Sequence, residues 1–291
     1  MAGKPIVYFT RSTDPAAAVA LYDKLGADLS GKVAVKLHSG EGGNKNFLGP
    51  DFVAPLVEHV GGTVVECNTA YDGVRNTTQK HLGLLEAHGW STQFVVDLLD
   101  AEGPDLVLDV PEGVQIQKNY VGRDLDKYDS LLVLSHFKGH AMGGFGGALK
   151  QLSIGIASSF GKAWIHGAGH PEAMWSTEQD LFLEAMADAA LSVTRRFAGH
   201  AAYVNVMKNI SVDCDCDCNA APPCMADMGT LASLDPVAVD QACLDLVYAS
   251  DDPGRPELIE RIESRHGVHT VEAAAALGVG SREYELVEVT L

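Results

Sequence analysis

Short apolar runs alternate with longer amphipathic segments along the first third of the chain. Residues 6–9, 33–37 and 63–67 are apolar and rich in β-branched side chains, the composition of buried strands. The segments at 15–25, about 49–60 and 77–87 carry helical periodicity. Asp14 and Pro15 stand where an N-cap and a first helical residue belong. A strand–helix rhythm of this kind predicts a mostly parallel, helix-flanked sheet.

The middle of the chain is less regular. Residues 94–97 and 106–110 read as strands, and 114–121 alternates in polarity as a hairpin strand with one exposed face does. The run at 131–134 is apolar throughout, hence a buried strand. A helix is expected over 148–157, and a longer one over 176–197 with acidic residues in its first turns. Asp235 and Pro236 open a further helix, which leaves Asp240 facing a cleft or solvent. No repeat or low-complexity linker interrupts the sequence. The expectation is therefore one α/β domain over 1–291, with an additional hairpin and a helical segment inserted at 158–200.

The densest chemistry lies at 213–218, where three aspartates alternate with Cys214, Cys216 and Cys218, and Cys224 follows. The preceding residues, 203–212, read as a strand. A strand continued into the cysteines would turn three thiols to one face and three carboxylates to the other. Neighbouring thiols would then lie about 6.5 Å apart. A single zinc with bonds of about 2.3 Å needs its sulfurs about 3.8 Å from each other, whereas an iron–sulfur cube spreads its thiolates roughly 6 to 7 Å. On a straight strand Cys214 and Cys218 would be about 13 Å apart, so the segment must bend for both to bind. Pro222 and Pro223 can turn the chain and bring Cys224 back as a fourth ligand. This spacing favours a 4Fe–4S cluster on Cys214, Cys216, Cys218 and Cys224 over zinc. A disulfide between alternate strand residues would be strained. Cys67 and Cys243 sit alone in apolar patterns and read as packing residues.

A formal charge of −18 disfavours nucleic acid and anionic membrane surfaces as partners. The N-terminus lacks the apolar run of a signal peptide, and the cysteine usage is not a secreted disulfide framework, so a reducing cytoplasm is expected. Three loops follow strand ends, where α/β proteins place their sites. The first carries Lys36 and His38, the second Arg75, and the third His136, Lys138 and His140 before a glycine-rich turn and Lys150. Glycine-rich turns at helix starts can hold an anion, and lysines are scarce in so acidic a chain.

The blocks Lys36-Leu-His-Ser-Gly-Glu41, Asn68-Thr69 with Gly73 and Arg75, Ser135-His-Phe-Lys-Gly-His140 and Gly144-Phe-Gly-Gly-Ala-Leu-Lys150 resemble those of a family of unknown function. The family is labelled as uncharacterised iron–sulfur centre proteins. Asp213-Cys-Asp-Cys216, the stretch from Leu231 to Asp240, and the close from Gly278 to Tyr284 resemble it too. Many members carry a ferredoxin-like insert after the glycine-rich helix, and residues 158–200 here contain no cysteine. The resemblance implies iron–sulfur chemistry without naming a reaction. The resulting expectation is a redox enzyme acting on a small anionic substrate. His136, Lys138 and His140 would be catalytic, and Lys36, His38, Arg75 and Lys150 would bind substrate. An electron-transfer or metal-delivery protein with a redox partner, and a structural zinc protein, stand as alternatives. Oligomeric state, a homo-oligomer included, is left open.

Overall fold

A computed structural model of the chain describes residues 3–291. Twelve strands occur among them: β1 (Ile6–Thr10), β2 (Val33–Lys36), β3 (Thr63–Glu66), β4 (Asp97–Leu98), β5 (Leu106–Asp109), β6 (Lys118–Val121), β7 (Ser130–His136), β8 (Lys138–His140), β9 (Gly144–Gly146), β10 (Ala201–Met207), β11 (Gly229–Ser233) and β12 (Glu285–Glu288). Eight form one sheet in the order β12-β1-β11-β10-β7-β2-β3-β4. All its neighbours run parallel except β11, which is antiparallel to both β1 and β10. The expected α/β class, a mostly parallel sheet flanked by helices, is the observed one.

The run at β7 shows why its residues are uniformly apolar. Leu131 and Val133 pack into a core on one face of the sheet, and Leu132 and Leu134 into a second core on the other. On β10, Tyr203 and Met207 join the first core, while Val204 and Val206 join the second. Both faces are covered, so no polar alternation survives. In consequence β2, β3, β7 and β10 present their carboxyl ends along one edge of the sheet, the usual location for a site in such folds. No helix among the described residues is long and apolar enough to cross a membrane.

Several boundaries differ from expectation, each for a local reason. Strand β4 is only two residues long, because Phe94 N–H closes the helical turn Trp90–Gln93 by donating to Trp90 O. The alternating stretch 114–121 pairs with β5 only over β6. Its first amides, on Val114, Gln115 and Ile116, donate instead to the Asp188 carboxylate at 2.7–2.9 Å. The long helix starts at Gln179 and ends at Arg196. The helix expected over 148–157 is α-helical at Ala148–Lys150 and π-helical at Gln151–Gly155, a local widening common near functional sites. Residues 213–218 are not a strand at all but a succession of turns.

Two sealed polar groups matter for stability. Asp240 faces neither cleft nor solvent. It is fully buried and accepts from Ala148 N–H (2.8 Å), Leu149 N–H (2.9 Å) and Asn205 Nδ2 (2.7 Å). It thus caps the helix that carries Lys150, and a Cβ on Gly147 would come within 2.3 Å of its Oδ1. His81 is also fully buried; Nδ1 lies 3.3 Å from Asn68 Oδ1, and Nε2 has no partner. Burial lowers its pKa to about 3.

Asp240→Ala leaves two helix amides and one side-chain amide unpaired, so it should cost at least about 3 kcal/mol in urea unfolding. His81 is neutral when folded, so its stabilising share is complete above its unfolded pKa and is lost as pH falls toward the folded one. Between about pH 7 and about pH 5 it accounts for about 2 kcal/mol of lost stability. His81→Gln should remove that portion of the pH dependence, measured as the difference between urea melts at the two pH values.

Candidate metal and substrate site

The cysteine segment turns because its aspartates and carbonyls are held from all sides. Asp215 is buried, with its carboxylate 2.9 Å from His136 Nδ1 and 2.7 Å from Lys138 Nζ. Burial alone would raise its pKa; the facing His136 and Lys138 outweigh that and hold it well below the usual carboxylate range. Asp217 N–H donates to Cys214 O at 2.9 Å, and Asn44 Nδ2 donates to the carbonyls of both Cys214 (3.2 Å) and Asp217 (2.9 Å). Glu41 N–H donates to Asp215 O, and Gly139 N–H to Ser211 O, each at 2.8 Å. A Cβ on Gly139 would lie 2.2 Å from Val212 O, so only glycine fits there. The glycine-rich loop after β2 therefore clamps the cysteine loop through Glu41 and Asn44.

This turn replaces the strand spacing. The thiols of Cys214 and Cys216 and a ring nitrogen of His140 lie within 4.8 Å of one another, so these three residues could hold a metal ion. Cys216 Sγ is 3.9 Å from His140 Nε2, and Lys150 Nζ is 3.6 Å from Cys214 Sγ. Burial would raise the Cys214 thiol, but the hydrogen bond from Cys216 and the facing Lys150 and His140 pull it well below its usual value. Cys216, which keeps the proton of the pair, is driven up by that bond and by burial. Cys218 and Cys224 stand outside the group. Cys218 is exposed and accepts from Asn219 Nδ2, while the Cys224 thiol donates to Ile210 O at 3.4 Å. His140 Nδ1 accepts from the backbone N–H of Gly143 (2.8 Å) and Met142 (3.2 Å), which leaves the ring proton on Nε2, toward the thiols.

Beside this group opens a cavity of about 470 Å³. Of the residues singled out from sequence, Lys36, His38, Arg75, His140, Lys150, Cys216 and Cys218 line it. His136 and Lys138 do not: both are buried against Asp215, and His136 Nε2 is 2.6 Å from Lys208 O. Lys36, at the end of β2, is fully buried and pairs with Glu66 Oε2 at 2.6 Å, and burial lowers its pKa. Arg75 pairs with Glu41 at 3.0 Å and donates to Tyr71 Oη at 3.0 Å. Burial also lowers His38 well below its usual value.

Two more residues, Lys162 and His166, line the cavity. Lys162 projects from the helix Ser159–His166 and donates to Ala157 O at 2.6 Å. One turn on, His166 stacks on Phe182 with ring centroids 4.7 Å apart, and its Nδ1 is 2.7 Å from Lys162 O. Since a carbonyl only accepts, Nδ1 carries the proton and Nε2 keeps a lone pair. Burial lowers its pKa to about 3. A lysine among Phe, Ala, Trp and Ile was the only trace of this wall in the sequence. His170, at the same spacing, is largely exposed.

Residues 33–245 match the family described as Domain of unknown function (DUF362), and the chain belongs to it. The comparison with curated proteins gives no match. Among solved structures, the lactate racemase apoprotein from Thermoanaerobacterium thermosaccharolyticum is similar at 17% identity and a TM-score of 0.42, over 69% of this chain and 50% of that one. A Thermotoga maritima protein is similar at 10% identity and a TM-score of 0.42, over 90% of this chain and 58% of that one. The chain thus spans 50% and 58% of those two proteins' lengths.

Proposed function

We propose that this member of the family is a metal-dependent enzyme acting on a small anionic substrate, with the ion held by Cys214, Cys216 and His140. The observation that carries this reading is the convergence of two thiols and an imidazole, of which Cys216 and His140 line a cavity supplied with lysines, in a protein of charge −18. Donor atoms within 4.8 Å of each other suit a single ion such as zinc, whose sulfurs stand about 3.8 Å apart. They do not suit a cube, whose thiolates lie roughly 6 to 7 Å apart. A closed structural zinc site takes four protein ligands. Three gather here among the described residues, and two of them, Cys216 and His140, line the cavity, which favours catalysis over a structural or electron-carrying role.

An ion bound there would supply Lewis-acid polarisation of a substrate oxygen. The chain's own residues divide the remaining work. Lys150 places positive charge beside Cys214 and the cavity, favouring an anion. His166 offers an unprotonated Nε2 at the cavity wall, a hydrogen-bond acceptor for a substrate hydroxyl or amide, while its lowered pKa makes it a weak base. His136 and Lys138 are positioning residues, which hold Asp215 and through it the turn of the two thiols. Lys36, His38 and Arg75 form a wall whose charges are largely spent on Glu66 and Glu41.

A second reading rests on Cys218, which lines the same cavity as Cys216. An iron–sulfur centre would need it, with Cys224 or a fourth donor drawn in, and would make the protein a redox enzyme or electron carrier. Protein isolated without oxygen should contain one zinc or iron per chain and no acid-labile sulfide. The metal should be lost in Cys216→Ser and kept in Cys218→Ser. About four irons with matching sulfide, lost also in Cys218→Ser, would establish the cluster instead.

A further inference from the structure

The geometry points to a specific class of substrate: we infer that the cleft binds a carboxylate with an apolar body. Lys162, aided by Lys150, receives the charged end, and Met142, Ile154, Met174 and Trp175 receive the body. The inference rests on the cleft being a substrate site, and the charge preference it predicts does not require the metal.

The buried cations of this protein are otherwise matched. Lys36 has Glu66, Lys138 has Asp215 and Arg75 has Glu41, all within 3.0 Å. Lys162 is only 8% exposed, yet no carboxylate oxygen lies within 4.0 Å of its Nζ among the described residues. Its one partner is the carbonyl of Ala157. An ammonium has three N–H groups, so two are left without acceptors at the cavity wall. The neighbouring carboxylates are committed elsewhere. Asp100 accepts from the amides of Asn68 and Ser159, and Asp105 from Ser158 Oγ.

The position of Lys162 is imposed by its helix. Ser158 caps that helix through Gly161 N–H at 2.9 Å, and a Cβ on Gly161 would lie 1.8 Å from Tyr120 O. The ammonium is therefore held in a poorly solvated place where an unpaired charge is costly. A bound anion removes that cost. Lys150 is the other lining lysine without a carboxylate, but it already faces the sulfur of Cys214. A single ammonium with no carboxylate in contact matches a monoanionic carboxylate better than a phosphate dianion.

One part of the wall is apolar. Met142, Ile154 and Met174 line it, and Trp175 stands at the rim with 68% of its surface exposed. Unbranched methionines adapt to varied shapes, and an exposed indole beside a cavity offers a flat surface to an aromatic or alkyl body. A purely polar anion would leave this wall uncovered.

Isothermal titration of the metal-containing protein with 3-phenylpropionate, its neutral amide, acetate and inorganic phosphate tests the assignment. Only 3-phenylpropionate should bind well. Lys162→Met should weaken it by about tenfold or more, while wild-type protein stripped of metal with a chelator should still bind the acid in preference to its amide. That pairing separates failure of this assignment from failure of the metal reading. Equal binding of amide and acid, preferential phosphate binding, unchanged affinity in Lys162→Met, or no carboxylate binding would each overturn it. If Lys162→Met does not fold, wild-type fluorescence decides. The carboxylate and not the amide should alter tryptophan emission, and Trp175→Phe should abolish the change; a change equal for both probes, or none, overturns the assignment.

Discussion

The buried carboxylate of Asp215 is the constraint on which the site depends. A charge removed from water must be paired closely, and His136 and Lys138 are the partners in reach. Both are fixed by the sheet: His136 ends β7 in register with Val206 of β10, and Lys138 begins β8. Drawing Asp215 inward reverses the local chain, so the flanking thiols of Cys214 and Cys216 turn together toward His140. Lys138 and His140 are two residues apart on β8 and so share a face. One engages the carboxylate and the other the thiols. An alternation of acid and cysteine thus becomes two functional layers without any strand.

The same logic of pairing organises the cleft. Ion pairs at Lys36–Glu66 and Arg75–Glu41 build rigid, nearly neutral walls in a low-dielectric interior. Against such walls an unpaired ammonium has a longer reach than it would in water. The chain as a whole carries a formal charge of −18, so that ammonium stands inside a strongly acidic protein.

What was legible in the sequence followed from local physics. The apolar run of β7 and the Asp235–Pro236 helix start appear as read, with Asp235 accepting from Val237 and Ala238 N–H at 2.9 Å. The loops after β2, β3 and β7 do converge, as strand order in a parallel sheet requires. The cysteine segment was misread because the groups that bend it lie far away in sequence. His136 and Lys138 precede Asp215 by nearly eighty residues, and Asn44 precedes Cys214 by 170. Periodicity cannot register a partner at that distance. Residues 114–116 changed state for a similar reason, since Asp188 takes their amides.

The tautomer of His140 ties the ligand group to the cavity wall. Backbone N–H groups can only donate, so Gly143 and Met142 hold Nδ1 as an acceptor and leave the ring proton on Nε2 beside the thiols. An ion taking Nε2 must displace that proton, and a neutral ring would then place its proton on Nδ1, opposite two donors. The turn at 141–143 has to yield for the imidazole to ligate. Met142 is both one of those donors and part of the apolar lining. Occupancy of the thiol–imidazole group and the shape of the cavity are therefore coupled through one short turn, by the direction of two hydrogen bonds.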